Sequence, residues 1–133
     1  MTTAETSVLV TIDDIRAAAE RIRGVAIETP LLRFRDVGWV KPECLQPTGS
    51  FKIRGAYNTL AQLSTEQLRI GVVAHSSGNH AQAVARAARL LGGRAVIVMP
   101  DNAPQIKVDG VRADGGEIVF VGPDNTERVQ RAH

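Results

Sequence analysis

A chain of 133 residues with 44% apolar side chains is long enough to bury one core, or one domain and a flank, and too apolar to stay unfolded. Its formal charge of +2 is small, its basic residues are scattered and aromatics make up only 4%, so the charged, stacking surface of a nucleic-acid binder is not expected. The single cysteine, Cys44, excludes an intrachain disulfide, suits a reducing compartment and reads as a small buried hydrophobe.

Residues 1–7 are polar and include Glu5, and the apolar run Val8-Leu9-Val10 is too short for a signal peptide or a membrane segment. A cytoplasmic protein without a membrane partner is expected. Thr11 then opens a helix over 12–23: Asp14 completes a capping box, Ile12, Ile15, Ala19 and Ile22 share a face, and Gly24 ends it. Thr29-Pro30-Leu31-Leu32 reads as extended, because proline drives its predecessor out of the helical region. Residues 39–43 read as a short strand. Ala56, Leu60 and Leu63 form the next helical stripe, which begins just after Lys52.

From Gly71 onward the pattern alternates. Residues 71–74 read as a buried strand and 79–91 as a helix with Val84, Ala88 and Leu91 inward, closed by Gly92-Gly93. A strand over 95–99, a helix over 104–113 and a strand over 117–121 follow. Short loops in such an alternation imply parallel strands joined by right-handed crossovers, an α/β fold. Asp124 and Glu127 have the spacing of one more helix start, with Val129 opening its apolar face. The chain is expected to be the N-terminal part of a longer protein.

Two stretches carry chemistry. Gly49-Ser50-Phe51-Lys52-Ile53-Arg54-Gly55 places a lysine between an aromatic residue and a helix start. Such a lysine is either a solvated amine or one held at a cleft mouth, where partial desolvation favours the neutral, nucleophilic form. Phe51 itself reads as a core aromatic. His75-Ser76-Ser77-Gly78-Asn79-His80-Ala81-Gln82 runs from a strand into a helix. Unpaired N–H groups and the dipole at a helix start favour an anion, so this segment is either a phosphate or carboxylate site or a serine-rich cap. His75 and His80 lack the spacing of a helical metal pair, and packing is expected of them rather than ligation. Lys107 and Arg112 read as a solvated helix face. A dinucleotide-binding domain is disfavoured: the glycine fingerprint after the first strand and the acidic residue ending the second are both missing.

The run Lys41-Pro42-Glu43-Cys44-Leu45-Gln46-Pro47-Thr48-Gly49-Ser50-Phe51-Lys52-Ile53-Arg54-Gly55-Ala56-Tyr57 resembles the cofactor-lysine segment of the serine/threonine dehydratase and serine racemase family. These are pyridoxal-phosphate enzymes of fold type II, the tryptophan-synthase-like fold. The block from His75 to Gln82 resembles the family's substrate-binding loop at the expected distance, and the similarity runs from about Thr29 to the last residue. The resemblance implies a three-layer parallel-sheet α/β domain, truncated. Residues 1–37 would be an N-terminal piece of the large domain and 38–133 the small domain.

It also implies roles. Lys52 would condense with the aldehyde of pyridoxal 5'-phosphate and later take the substrate's α-proton. Phe51 would pack on one face of the pyridine ring, and Asn79 would donate to the ring oxygen. Ser76, Ser77, Gly78, Asn79 and His80 would hold the substrate. At the position of Ser77 the family's threonine dehydratases often have alanine and its racemase-like members serine. That hydroxyl would either deliver a proton from the face opposite Lys52 or satisfy a nearby amide.

The implied reaction is β-elimination from L-serine or L-threonine, giving a 2-oxo acid and ammonia in a full-length homo-oligomer. The alternatives are an amino-acid racemase in the same site and a catalytically incomplete fragment. Two departures stand out. The stretch between Arg35 and Lys41 is shorter than the family's, so the first strand is expected to be short or misregistered. The family's glycine-rich phosphate loop and its partner for the pyridine nitrogen are not within these residues, and neither Gly92-Gly93 nor Gly115-Gly116 replaces the loop. Alone, the chain is therefore expected to be inactive and to take up the cofactor weakly and without selectivity among its lysines. The stripes of Ile12, Ile15 and Ile22, and of Leu60 and Leu63, are expected to remain exposed.

Overall fold

The computed structural model describes residues 9–122 and 130–131; the helix start expected at Asp124, Glu127 and Val129 lies outside them. Helix α1, Ile12–Arg21, begins with the capping box read from the sequence: the Thr11 hydroxyl accepts from the Asp14 N–H at 3.2 Å, and the Asp14 carboxylate accepts from the Thr11 N–H at 2.8 Å. The helix stops two residues short of the expected end at Arg23, because Ile22 leaves helical geometry at ψ 1. No residue of α1 is buried, and Arg21 ties it to α2 through a 2.7 Å bond from Nε to Asn58 Oδ1.

Strands β1, Leu32–Phe34, and β2, Gly38–Val40, pair antiparallel with Leu32 opposite Val40 and Phe34 opposite Gly38. The shortened stretch thus closes as a tight hairpin. Arg35 turns it with a left-handed φ of 47, and Val37 N–H donates to Phe34 O at 3.1 Å. The strand expected over 39–43 ends at Val40, since Pro42 has no N–H for a ladder, and a 3₁₀ turn follows over Glu43–Leu45. Cys44 lies exposed on that turn, not buried.

Helix α2, Lys52–Leu60, is followed by α3, Thr65–Ile70, which the apolar pattern does not announce. At six residues α3 is too short to show a stripe, and the Ser64–Gln67 capping box secures it. Then come β3, Val72–His75; α4, Asn79–Leu90; β4, Ala95–Pro100; α5, Gln105–Ala113; and β5, Glu117–Val121. The strands form a parallel sheet in the order β3-β4-β5, with Ala74 beside Ile97 and Ile97 beside Ile118. The α/β alternation read from the sequence is present.

β4 is the central strand, and Ile97, Val98 and Met99 are almost fully buried. β3 was expected to be buried throughout, but its exposure alternates and Val73 remains 54% exposed, because β3 is an edge among the described residues. The core joins Ile53, Ala56 and Leu60 of α2 to the alanine-rich inner face of α4 and to Val108 and Val111 of α5. Small side chains let α4 approach both α2 and the sheet closely. Burying a side chain the size of Ile97 or Met99 contributes about 1.5–3 kcal/mol. Leu60 is covered by this packing at 6% exposure, while Ile12 and Ile15 keep 59% and 56%. Of the expected stripes, Ile12 and Ile15 are bare, Ile22 and Leu63 are half-buried, and Leu60 is covered.

Asp114, the C-cap of α5, is a buried carboxylate that locks α5 to α4. It accepts from Arg89 at 2.9 Å and from Arg86 and Gln82 at 3.1 Å each. No helix among the described residues is long and apolar enough to cross a membrane.

Candidate active site

The loop leading to Lys52 is held from several directions. Gly49 takes φ +69, a conformation that side chains rarely adopt, and turns the chain into α2. Gln46, only 3% exposed, accepts from Ile27 N–H at 2.9 Å and donates to Ile27 O at 2.8 Å. Glu43 receives two 2.8 Å bonds from Arg54, and Thr29 Oγ1 donates to it at 2.5 Å. Arg54 lies in the first turn of α2, so this fork anchors the start of the helix to the preceding turn. The Arg54 hydrogen bonds hold the Glu43 carboxyl down at about 2, helped by Thr29 and opposed by partial burial, and Glu43 in turn raises Arg54. Both residues stand in the stretch that drew attention to Lys52, but their pairing needs the turn between them and is not visible in the sequence.

Lys52 is the first residue of α2. Its Nζ sits 5.0 Å from the centroid of the Phe51 ring, a cation–π distance. Phe51 is 56% exposed, so the core-aromatic reading does not hold in this structure. Two residues upstream, the Ser50 hydroxyl is buried and has no hydrogen-bond partner among the described residues. Lys52 and Phe51 line one end of a cleft of about 540 Å³ that runs along α2 and β3, and His80 lines it from α4. The rest of its wall is apolar, with Leu60, Leu63, Val72 and Val84. Partial burial pushes the His80 imidazole below its ordinary value, and the charges of Lys52 and His75 act in the same direction. His75 ends β3 and is exposed.

The 76–79 loop joins β3 to α4. Ser76 N–H extends the sheet ladder to Val98 O at 3.1 Å, and the Ser76 hydroxyl accepts from Gly78 N–H at 3.3 Å. Apart from that bond to the N-cap residue Gly78, no side chain among the described residues caps α4, and the N–H groups of its first turn can serve an external acceptor. Ser77 is partly buried and makes no side-chain hydrogen bond among the described residues. Asn79 opens α4, and its Oδ1 accepts from Lys107 Nζ at 2.6 Å. Lys107 thus departs from the solvated reading; Arg112 is exposed. Among the described residues no group of three or more His, Cys, Asp or Glu side chains is placed to hold a metal ion.

This arrangement can offer an amine nucleophile over an aromatic ring, a weakly basic imidazole on the same cleft and a donor-rich helix start beside them. The family profile described as pyridoxal-phosphate dependent enzyme matches residues 22–133. The L-threo-3-hydroxyaspartate ammonia-lyase of Pseudomonas sp is 49% identical over 106 residues, covering 74% of this chain and 33% of its own. The biosynthetic L-threonine dehydratase of Haemophilus influenzae is 58% identical over 74 residues, covering 56% of this chain and 14% of its own. Among solved structures, maize serine racemase superposes with a TM-score of 0.87 at 42% identity, over 92% of this chain and 40% of its own. The chain spans about a third or less of the length of these two curated relatives. Since the profile takes in the lysine segment, the loop and the whole parallel sheet, and the sheet superposes on that of a fold type II enzyme, the chain belongs to the pyridoxal-phosphate-dependent enzyme family.

Proposed function

We propose that this chain carries the lysine and the substrate loop of a pyridoxal-phosphate-dependent ammonia-lyase that converts L-serine or L-threonine to a 2-oxo acid and ammonia. The observation that carries the reading is the sharing of one cleft by Lys52 and His80, with the uncapped start of α4 at its edge. In the same proposal residues 38–133 form the small domain and 1–37 a piece of the large one, a division that falls in the turn between β1 and β2. The enzyme is a cytoplasmic homo-oligomer in its full-length form.

The residues present fit the cofactor. The Lys52 amine at the cleft, which has no hydrogen-bond acceptor among the described residues, and the first-turn N–H groups of α4 are polar groups that can meet an aldehyde and an anion. When bound, pyridoxal phosphate supplies an aldehyde for an amine and a ring that draws electrons from the substrate's α-carbon. Lys52 is the residue that would hold the group, through its Nζ at the aldehyde carbon, and the same Nζ would serve as base for the substrate's α-proton. Phe51 would hold the ring by packing, and Asn79 would hold it through a side-chain N–H. Ser76, Gly78, Asn79 and His80 bind the substrate carboxylate, with the helix start as its main donor. Water leaves with the β-hydroxyl and water re-enters on hydrolysis, so the net products are the 2-oxo acid and ammonia.

A second reading, racemisation, is favoured by the Ser77 hydroxyl, which is free of hydrogen bonds among the described residues and could deliver a proton from the other face. Both are tested in a protein that joins this chain to the matching remainder of a family member. The lyase reading expects 2-oxo acid from L-serine or L-threonine, with Lys52→Ala lowering the rate by at least about 10³-fold. Unchanged 2-oxo acid formation in Lys52→Ala would overturn it. The racemase reading expects Ser77→Ala to abolish D-serine formation while pyruvate formation persists. Equal loss of both would assign Ser77 to the carboxylate site or the loop.

A further inference from the structure

A polar seam between α4 and α5 leads directly to the site. Asn79, Gln82, Arg86 and Arg89 recur on α4 at spacings of three, four and three, and so share one face. α5 meets that face with Lys107, Gly110 and Asp114, also at helical spacing. Asp114 binds the far end through Gln82, Arg86 and Arg89. In the middle, a Cβ on Gly110 would lie 2.9 Å from the flexible end of the Gln82 side chain, so that amide packs directly against the α5 backbone. At the near end Lys107 reaches Asn79 at 2.6 Å. α5 is therefore pinned to α4 on both sides of its close contact, and Lys107 stands on a fixed support.

The contact has a chemical direction. A lysine ammonium only donates, so it must take the Oδ1 end of the Asn79 amide. The Nδ2 end, which can only donate, is then left free of Lys107 on the first residue of α4. Resting on the proposed function for the identity of the acceptor, we propose that Lys107 is a positioning residue that turns Asn79 into a committed donor, so that this corner of the site accepts an anionic oxygen and rejects a donor. The charge on Lys107 adds to the positive end of the helix dipole and acts in the same sense.

The test uses the full 133-residue chain with its asparagine side-chain amides isotopically labelled, observed by NMR with inorganic phosphate and with pyridoxal phosphate. Asn58, held by Arg21 elsewhere in the fold, reports on folding. In the unsubstituted chain both anions should shift the Asn79 pair. Lys107→Met should move that pair in the free protein and weaken the response to either anion about tenfold, with Asn58 unchanged. Lys107→Arg keeps a donor and should restore most of the response. Asn79→Asp keeps the Lys107 pairing but has no N–H to give; with its own amide signal gone, its anion affinity is read by titration calorimetry and should fall about tenfold from that of the unsubstituted chain. An Asn79 pair indifferent to Lys107→Met, or a calorimetric anion affinity undiminished by Asn79→Asp, would overturn the proposal. Phosphate binding with the predicted variant pattern, but no tighter response to pyridoxal phosphate, would uphold the positioning role and count against the cofactor reading alone.

Discussion

The fork between Glu43 and Arg54 does the most to place Lys52. Glu43 is held at about 2 against an ordinary value of 4.5, chiefly by Arg54, and its side chain is only 18% exposed. A carboxyl lowered in the folded state stabilises the fold above its ordinary value and loses that contribution as the pH falls toward the folded one. Glu43→Gln should therefore cost about 2–3 kcal/mol at neutral pH, and the difference from the unsubstituted chain should shrink between pH 4.5 and 2. Denaturant unfolding at a series of pH values measures this, and a pH-independent difference would show that the fork acts through packing rather than charge. Lys52 and the 76–79 loop were legible in the sequence because each lies within one continuous stretch. Glu43 with Arg54 and Asn79 with Lys107 were not, because each pair meets only after the chain has folded back across a turn or a strand, and spacing says nothing about such partners.

At the scale of elements, the strands and helices from residue 71 onward follow the apolar pattern closely, since α4 and α5 each bury one face and the central strand β4 is apolar throughout. Periodicity failed where local chemistry replaced it: Pro42 ended β2, a capping box made α3, and the hairpin turn absorbed the shortened stretch at Arg35. The joint on which the site depends is α2 against α4, because these two helices bring Lys52 and His80 to one cleft. Ala87 lies in that core at 0% exposure. Ala87→Leu should force the helices apart and destabilise the fold by about 1–3 kcal/mol. Thermal or chemical denaturation would show it, and an unchanged midpoint would mean that α4 has slack against its neighbours.

For the whole molecule, the described residues leave apolar surface uncovered on α1, along Val73 of the β3 edge and in the wall of the cleft at Leu63 and Val72. Sequence could give the α1 stripe but not the edge position of β3, which depends on strand order. The polar end of that same cleft holds the central claim, that Lys52 is the cofactor lysine. Lysines stand at only three positions, 41, 52 and 107. Lys41 donates to Thr29 O at 2.5 Å and Lys107 to Asn79 Oδ1, whereas Lys52 rests over an aromatic ring with no hydrogen-bond acceptor among the described residues. The structure thus changes the expectation of unselective labelling into one of weak but directed labelling. The decisive measurement is titration of the chain with pyridoxal phosphate, borohydride reduction and mapping of the adduct by peptide mass. The account predicts partial labelling concentrated on Lys52; equal labelling of Lys41, Lys52 and Lys107, or a preference for either of the other two, would contradict it.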